Sequence, residues 1–437
     1  MPNPIKAIMD IRRQELSVSL LMFSYFFLVI TSFWILKPIK KTLFITFYKH
    51  AGFDFLSWHL TASQAELLAK VLNMLVAFIA VTVFTLLARR FRRQELTFVF
   101  SGFFMVCYVI YGGLVNVPSD LTVWTFYLFG DLFNTLMVVT FFSFLNDSVT
   151  PDKAKRLYGL IGAGGVIGGA FGSLIVSIWI KQVSIATWLW ITFGITAAII
   201  VVAMSAGKLV AKNPHKTEKR PEGFTSHRPA GGPAIEGARL VFRSRYLLAI
   251  VAIVGLYEII STVMDFQFTA TVEHFVSKEK LGQHFSTIYA ITNLSAMFVQ
   301  LFLTSLVMSR LGVKIALLVL PTAIILGSAG FLALPILWVG SFLNTADNAF
   351  NYSINQSAKE ALYVPTTRDE KYKAKAFIDM FVMRFAKALA VGISLAITIA
   401  FAEFSSVRWL SVFTLVVVVV WLFAVRYAGR RFDDMSS

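Results

Sequence analysis

The sequence predicts an all-α polytopic membrane protein with about twelve transmembrane helices in two six-helix bundles, and three observations lead to this prediction. Hydrophobic residues make up 57% of the 437 residues, whereas an ordinary soluble protein has about 45 to 50%. Apolar stretches long enough to cross a membrane recur throughout the chain. A polar segment divides the chain near its middle, and similar loop motifs occur before and after it.

Twelve apolar stretches account for the predicted helices. Each stretch is close to or beyond the roughly 20 residues that span the hydrocarbon core of a bilayer. The stretches begin near Ser17, Leu67, Leu96, Leu121, Leu157, Ile185, Tyr246, Phe285, Lys314, Ile336, Phe377 and Val407. The even number of helices predicts that both termini lie on the same side of the membrane.

Lysine and arginine are unevenly distributed between the predicted loops. The formal net charge is +16, and basic residues are concentrated at both termini and in the loops that follow even-numbered helices, such as Arg89–Arg93. Because cytoplasmic loops carry the positive excess, we expect both termini to be cytoplasmic, in a bacterial inner (plasma) membrane. Anionic lipid headgroups are the nearest expected partners. A nucleic-acid partner is not expected, because the sequence has no compact basic domain.

The polar segment at 210–243 is predicted to be a cytoplasmic linker between an N-terminal six-helix bundle, 1–209, and a C-terminal six-helix bundle, 244–437. Its richness in Lys, Arg, Pro and Gly is typical of a flexible connection. The last part, 235–243, has helical spacing and is expected to lie on the membrane surface.

Loop motifs repeat across this linker. Asp152-Lys-Ala-Lys155 corresponds to Glu370-Lys-Tyr-Lys373, each before the fifth helix of its half. Matching motifs in two six-helix halves indicate a parallel repeat, as in the major facilitator superfamily. Such folds bind substrate near the midplane between the halves, so charges within predicted helices become candidates for the site.

The first predicted helix carries Lys37, Lys40 and Lys41 around Pro38. A cation facing lipid costs about 2.5 to 3.5 kcal/mol, and spacings of three and four residues place these lysines on one face. In one alternative the helix ends at Leu36 and the lysines lie in the interface. Because the following residues stay apolar, we favour a kinked helix whose lysines face a cavity that binds an anion.

Carboxylates within the predicted helices are the candidate partners of these cations. They would pair with a lysine or carry a coupling proton, both of which suit a transporter; a static structural ion pair is the alternative. These charge-pairing or proton-coupling candidates are Asp131, Glu258, Asp265, Asp347, Glu360 and Asp379.

The tenth and eleventh predicted helices carry the remaining substrate-binding candidates. Asn348, Asn351, Asn355 and Lys359 form a polar stripe at helical spacing on the tenth helix. Amides suit a base or a sugar, although hydrogen bonds between helices are the alternative. Arg384 and Lys387 on the eleventh helix would complete a phosphate clamp.

The sequence predicts no metal site and no cofactor. Cys107 is the only cysteine, and the six histidines lack metal-binding spacing. The fifth predicted helix has overlapping small-xxx-small pairs through Gly164, Gly168 and Gly172. These glycines lack the order and the strand of a dinucleotide-binding loop, so they predict close helix packing.

Several segments together resemble the nucleotide transporter family of ATP/ADP antiporters, a branch of the major facilitator fold found in plastids and intracellular bacteria. Ile35–Leu43 is similar to the family's I-L-R-D-x-K-D-T-L, and Lys359–Pro365 is similar to its K-E-M-A-Y-I-P. Lys373–Asp379 resembles K-x-K-A-A-I-D, and Ala154–Gly162 resembles A-K-R-F-Y-x-L-F-G. The resemblance implies exchange of ATP against ADP, or proton-coupled nucleotide import.

The resemblance also assigns individual positions. Lys40 and Lys359 match family lysines, while Asp131 and Asp265 stand where the family has glutamates. The charge pattern departs from the family at four other positions. These are Pro38 and Lys41 in place of Asp, Asn351 in place of Lys, and Gln356 in place of Asp.

We therefore predict a monomeric alternating-access transporter of an anionic, phosphorylated solute, with ATP/ADP-type nucleotide exchange or import as the first hypothesis. One alternative is a proton-coupled carrier of another organic phosphate, a phospholipid or an anion on the same fold. Another is a membrane scaffold or sensor without transport. No nucleophile and base constellation indicates an enzyme.

Overall fold

The computed structural model describes residues 13–148, 151–212, 233–367, 370–401 and 404–436. Eleven helices in this part of the chain are long and apolar enough to cross a membrane. The chain forms two compact units. Unit 1 draws its described residues from Met1–Asp54, Leu72–Glu218 and Ser277–Leu294, and unit 2 from Phe55–Val71, Lys219–Val276 and Ser295–Ser437.

Unit 1 consists of long α-helices. They are α1 (Arg13–Tyr48), most of α2 (Ala62–Arg90), α3 (Arg93–Leu114), α4 (Asp120–Ser148), α5 (Pro151–Trp179), α6 (Ile185–Lys212) and the larger part of α9 (Leu281–Phe298). Between α1 and α2 the chain forms a short hairpin of β1 (Phe53–Phe55) and β2 (Trp58–Leu60), of which Phe55 and β2 are assigned to unit 2. Aromatic rings fill much of the interior, as where Phe26 stacks on Phe141 with centroids 4.6 Å apart.

Unit 2 contains the remaining helices. They are α7 (Pro233–Arg243), α8 (Arg245–Phe275), α10 (Gly312–Ala333), α11 (Leu337–Phe350), α12 (Gln356–Ala361), α13 (Lys375–Phe377), α14 (Met383–Ala400) and α15 (Trp409–Ser436), together with the first part of α2. A continuous apolar core joins α8, α10, α14 and α15 around the buried Trp421.

Five π-helical segments occur among the described residues of unit 2. They are Val299–Thr304, Val307–Leu311, Asn351–Asn355, Glu370–Ala374 and Ile378–Val382. Such segments are rare and are often found at functional sites. The segment Asn351–Asn355 joins α11 to α12, so the two short helices form one span from Leu337 to Ala361. Together with the eleven candidates named above, this interrupted helix gives the predicted total of about twelve.

The helix α1 settles one of the alternatives that the sequence left open. It continues through Pro38 and the three lysines as far as Tyr48. The interpretation in which this helix ends at Leu36 is therefore wrong. The apolar residues after Lys41 extend the helix, because they bury against α4 in the core of unit 1.

The two units repeat the same internal packing order. In unit 1, α1 packs against α4, α5 and α6, and α3 packs against α4 and α6. In unit 2, α8 packs against α11, α14 and α15, and α10 packs against α11 and α15. The first helix of each half therefore contacts the fourth, fifth and sixth helices of its own half, which is the arrangement that the parallel repeat predicts.

Glycines on α5 allow it to approach α1 closely. A Cβ added at Gly164 or Gly172 would lie 2.6 Å from a backbone oxygen of α1, on Phe23 or Thr31. The hydroxyl of Thr31 donates to the carbonyl of Gly168 at 3.2 Å. These contacts confirm that the glycine pattern serves helix packing.

The predicted linker lies only partly within the described residues. Residues 213–232 fall outside them, whereas α7 forms the predicted helix at the end of the linker. Glu236 on α7 makes a 3.0 Å ion pair with Lys373. The division into bundles at 1–209 and 244–437 stays a prediction, as does the position of α7 on a membrane surface.

Candidate functional site

Lys40 is an almost fully buried cation of unit 1. The residue is only 4% exposed, and its ammonium forms an ion pair with Asp131 on α4. The ammonium also lies 4.3 Å from the centroid of the Tyr127 ring. Burial of a charge costs several kcal/mol unless a partner compensates it, so this pair depends on both members.

Gly130 makes room for Lys40. A Cβ at Gly130 would lie 2.6 Å from Cδ of Lys40 and 3.5 Å from its Cγ. Any larger residue would therefore push the lysine side chain away from Asp131. The Gly130-Asp131 dipeptide thus supplies both the space and the counter-charge for Lys40.

Asp131 has a second partner that the sequence analysis did not select. The side-chain amide of Asn73 on α2 donates a hydrogen bond to the same carboxylate oxygen, Oδ2, that pairs with Lys40. The carboxylate is 30% exposed. An anion that bound Lys40 would compete with Asp131, while Asn73 would still satisfy the released carboxylate.

Lys37 and Lys41 lie against aromatic rings. The ammonium of Lys37 is 4.4 Å from the ring centroid of Trp34 and 4.9 Å from that of Tyr289. The ammonium of Lys41, whose residue is 3% exposed, is 5.4 Å from the Phe285 ring centroid. Cation–π contacts contribute about 0.5 to 2 kcal/mol each and orient the ammonium without removing its charge.

In unit 2, Lys387 on α14 pairs with Glu258 on α8 at 3.3 Å. This pair differs from the one in unit 1 because the lysine side chain is 45% exposed, whereas the glutamate side chain is 9% exposed. Lys359 is half-buried, and its ammonium lies 5.1 Å from the ring centroid of Tyr257. Arg384 is also half-buried.

The side-chain amides of the predicted asparagine stripe form hydrogen bonds within their own helix. The amide of Asn348 donates to the backbone carbonyl of Asn344 at 2.9 Å. The amide of Asn355 donates to the side-chain oxygen of Asn351 at 3.0 Å, across the π-helical segment. Asn355 is fully buried, while Asn348 and Asn351 are half-buried. The stripe therefore stabilises an irregular helix in this conformation.

Asp347 occupies the buried side of the same helix. It is 1% exposed, and its Oδ2 accepts a hydrogen bond of 2.8 Å from Ser261 on α8. Its other oxygen, Oδ1, has no hydrogen-bond partner among the described residues. An ionisable residue buried within a membrane helix is a functional candidate by default.

The other predicted carboxylates differ in their surroundings. Asp265 on α8 pairs with Lys70 on α2. Glu360 pairs with Lys375 at 2.6 Å, and its side chain is 48% exposed. Asp379 is exposed.

Lys70 and Asn73 are functional candidates that the sequence analysis missed. The segment Glu66-Leu-Leu-Ala-Lys70-Val-Leu-Asn73 lies in the second predicted helix. An ionisable residue within a membrane helix is a candidate by default, so Lys70 could have been found. The aromatic partners Trp34, Tyr127 and Tyr289 gave no such signal, because aromatic residues are frequent throughout the chain.

Comparisons with known proteins place this geometry in context. The family model described as Major Facilitator Superfamily matches residues 20–363. The model described as TLC ATP/ADP transporter matches residues 335–432. The second match includes Lys359 and the segment whose resemblance to ATP/ADP antiporters was evident in the sequence, and that resemblance is confirmed.

Two relatives carry the same description. ADP,ATP carrier protein 1 of Chlamydia muridarum is 21% identical over 498 residues, which cover 98% of this chain and 90% of the relative. The chloroplastic ADP,ATP carrier protein 1 of Arabidopsis thaliana is 23% identical over 355 residues, which cover 72% of this chain and 56% of the relative. The chain thus spans about half the length of that plant protein.

A solved structure shows the same fold. The crystal structure of the nucleoside transporter NupG superposes with a TM-score of 0.64 at 13% sequence identity, and the match covers 94% of this chain and 99% of that chain. At this identity the likeness concerns the arrangement of the helices.

Proposed function

We propose that this chain, which belongs to the Major Facilitator Superfamily, is an alternating-access transporter that exchanges ATP against ADP across a membrane. The observation that carries the proposal is the set of three lysines on one membrane helix, with Lys40 buried against Asp131. Cations in such a position are costly unless they serve an anion. The relatives named ADP,ATP carriers support a nucleotide as that anion.

The phosphates would bind by competing with Asp131 for the ammonium of Lys40. A lysine is a compact charge with three donors, which suits the several oxygens of a polyphosphate. When the anion takes Lys40, Asp131 keeps its hydrogen bond from Asn73. Lys37 and Lys41 then add two further ammoniums from the same helix. The empty site is stabilised by Asp131 and the loaded site by the phosphates.

Residues of unit 2 would contribute in the same way. Lys387 would leave Glu258 to contact a phosphate, and Lys359 and Arg384 would add positive charge. Asn348, Asn351 and Asn355 would contact the base or the ribose after breaking the hydrogen bonds that they make in this conformation. Glu258, Asp265 and Asp347 would act as counter-charges.

We further propose a monomer in a bacterial inner membrane, with both termini cytoplasmic.

Counterflow exchange tests this function. Proteoliposomes preloaded with ADP should take up labelled ATP, and Lys40→Ala should reduce the uptake to the level of empty liposomes. The matched control is Lys208→Ala, an exposed lysine on α6, which should keep wild-type uptake. A wild-type protein that exchanges no nucleotide would refute the proposal.

Asp347 favours a second candidate, a proton-coupled carrier of another organic phosphate. Its carboxylate is buried and has one unsatisfied oxygen within the described part of the chain. In this case uptake should require an inward proton gradient, and Asp347→Asn should abolish the gradient dependence. ADP-driven exchange without a pH gradient would exclude it.

A further inference from the structure

Unit 1 contains a cavity of about 290 Å³ that the proposed transport mechanism does not use. It lies where the second half of α1, the loop between α5 and α6, the beginning of α6 and the beginning of α9 meet. Its walls include Thr42 and Thr46 of α1, Trp188 of α6 and Gln283 of α9. All of these residues belong to unit 1, so the cavity is a feature of that unit alone.

The cavity is separate from the three lysines of α1. Ile39, Thr42 and Thr46 line it, and their spacing of three and four residues puts them on one face of the helix. At 3.6 residues per turn, that face is opposite to the face of Lys37, Lys40 and Lys41. A ligand in the cavity would therefore contact a different side of α1 from a ligand of the lysines.

Three residues of the cavity wall carry buried hydrogen-bond donors without a partner in the described part of the chain. The hydroxyls of Thr42 and Thr46 and the indole Nε1 of Trp188 are buried, and none has a hydrogen-bond partner among the described residues. Trp188 itself is only 2% exposed. A buried donor without a partner costs about 1 to 3 kcal/mol, so an acceptor that reached these three groups from the cavity would be stabilised by them.

The charged residues of the cavity are exposed. Lys181, in the loop between α5 and α6, and Lys278, just before α9, both contribute to the lining. Glu279 is the only carboxylate in the described lining and opposes these two cations. Two ammoniums near buried neutral donors match a group with negative charge and several acceptor oxygens.

Gly282 keeps the wall of the cavity open. A Cβ at this position would lie 3.1 Å from Cγ2 of Thr42 and 3.1 Å from Cδ1 of Ile180. A side chain there would press on Thr42 and narrow the space. The volume remains at the low end of ligand pockets, which are typically about 300 to 1,000 Å³, so the cavity suits a small polar group and not a whole nucleotide.

We propose that this cavity binds a phosphate group, either of free inorganic phosphate or of an anionic lipid headgroup. The phosphate oxygens would accept from Thr42, Thr46 and Trp188, while Lys181 and Lys278 would balance the charge. The site is independent of the lysines of α1 and of the identity of the transported solute.

Tryptophan fluorescence of the purified full-length protein tests the site. Inorganic phosphate is titrated into protein in phosphatidylcholine nanodiscs, and the same protein is reconstituted with phosphatidylglycerol added. The signal of Trp188 is isolated as the difference between wild type and Trp188→Phe. We expect one of the two probes to shift this signal and to raise the thermal unfolding midpoint. A response to phosphate assigns a soluble ligand, and a response to phosphatidylglycerol alone assigns a lipid headgroup.

Variants that change the charge of the lining should weaken or strengthen phosphate binding in a predictable direction. Lys181→Gln combined with Lys278→Gln should weaken binding by about tenfold or more, and Thr42→Val should weaken it by a smaller factor. Glu279→Gln should strengthen it. The matched control is Lys280→Gln, because Lys280 is exposed near Lys278 but does not contribute to the lining. No response to either probe, or equal responses in the double variant and the control, would overturn the proposal.

Discussion

The two units have the same packing order, but their helices differ in regularity. The lysines of unit 1 lie on α1, which stays α-helical across Pro38. The asparagines of unit 2 lie on a helix that a π-helical segment divides, and two more such segments precede α14. A π turn adds a residue without adding a turn, and it weakens the regular hydrogen-bond ladder. The lysines of α1 therefore lie on a regular helix, whereas the asparagines of unit 2 lie where the helical register is shifted by an extra residue.

The ion pairs differ in the same direction. Lys40 is almost fully buried against Asp131, while Lys387 is nearly half exposed beside Glu258. Solvent screens an exposed pair and competes for its donors. The pair of unit 1 should therefore contribute to both stability and binding, and the pair of unit 2 should contribute mainly to binding.

The largest expected effect comes from removing one residue from a helix of each unit. Deletion of Tyr352 from the π-helical segment Asn351–Asn355 should restore an α-helix and leave a folded protein, but exchange should be lost. Deletion of Val138 from the regular α4 would rotate everything after it by about 100°, so we expect no folded protein. Size-exclusion profiles and counterflow uptake measure the two outcomes. Equal tolerance of both deletions would contradict the comparison.

The buried ion pair of unit 1 should give the next largest effect. Lys40→Gln leaves the Asp131 carboxylate without its cation, and we expect a loss of about 3 kcal/mol in the free energy of unfolding. The double variant Lys40→Gln, Asp131→Asn should recover most of that loss, because neither charge remains. Unfolding in mixed micelles measures both variants. An undiminished stability of the single variant would show that the pair is not buried as described.

Gly130→Ala probes the same lysine without touching its charge. The added Cβ would lie 2.6 Å from Lys40 Cδ, and such overpacking typically costs about 1 to 3 kcal/mol. The matched control is Gly102→Ala on α3, where a Cβ would meet nothing within 4 Å. We expect the control to be neutral or slightly stabilising, since alanine favours helices. Equal unfolding midpoints for the two variants would show that Gly130 is not needed to make room for the Lys40 side chain.

The smallest effect is expected in unit 2. Lys387→Gln should change the free energy of unfolding by about 1 kcal/mol or less, because the lysine is 45% exposed. Its effect on exchange should be larger than its effect on stability, with a higher apparent KM for ATP. A loss of stability as large as that of Lys40→Gln would erase the difference between the units.

The helices and the repeat were predictable from the sequence, since hydrophobic length and loop charge follow from local composition. Pro38 did not end α1, because the apolar residues after Lys41 bury against α4. The role of the α5 glycines in close helix packing was also predicted correctly from the sequence. Each of these features depends on residues that are neighbours along one helix.

Features that depend on residues far apart in the sequence could not be predicted in the same way. Asp131 accepts a hydrogen bond from Asn73 in addition to its ion pair with Lys40, and Lys70 forms an ion pair with Asp265. Such partners are set by which faces of separate helices meet, which the periodicity of one helix does not specify. The π-helical segments were not predicted either, because they depend on the tertiary packing of the helix. The roles of the individual site residues in transport stay predictions.

Equilibrium binding of ATP to the Asp131→Asn variant tests most directly whether Lys40 is shared between a carboxylate and the substrate anion. Asp131→Asn removes the competitor and retains the lysine, so the dissociation constant for ATP should fall by about tenfold, equivalent to about 1.4 kcal/mol. Lys40→Gln should raise it. If Asp131→Asn leaves ATP affinity unchanged or weakens it, Asp131 does not compete with the nucleotide, and the account of the unit 1 site is wrong.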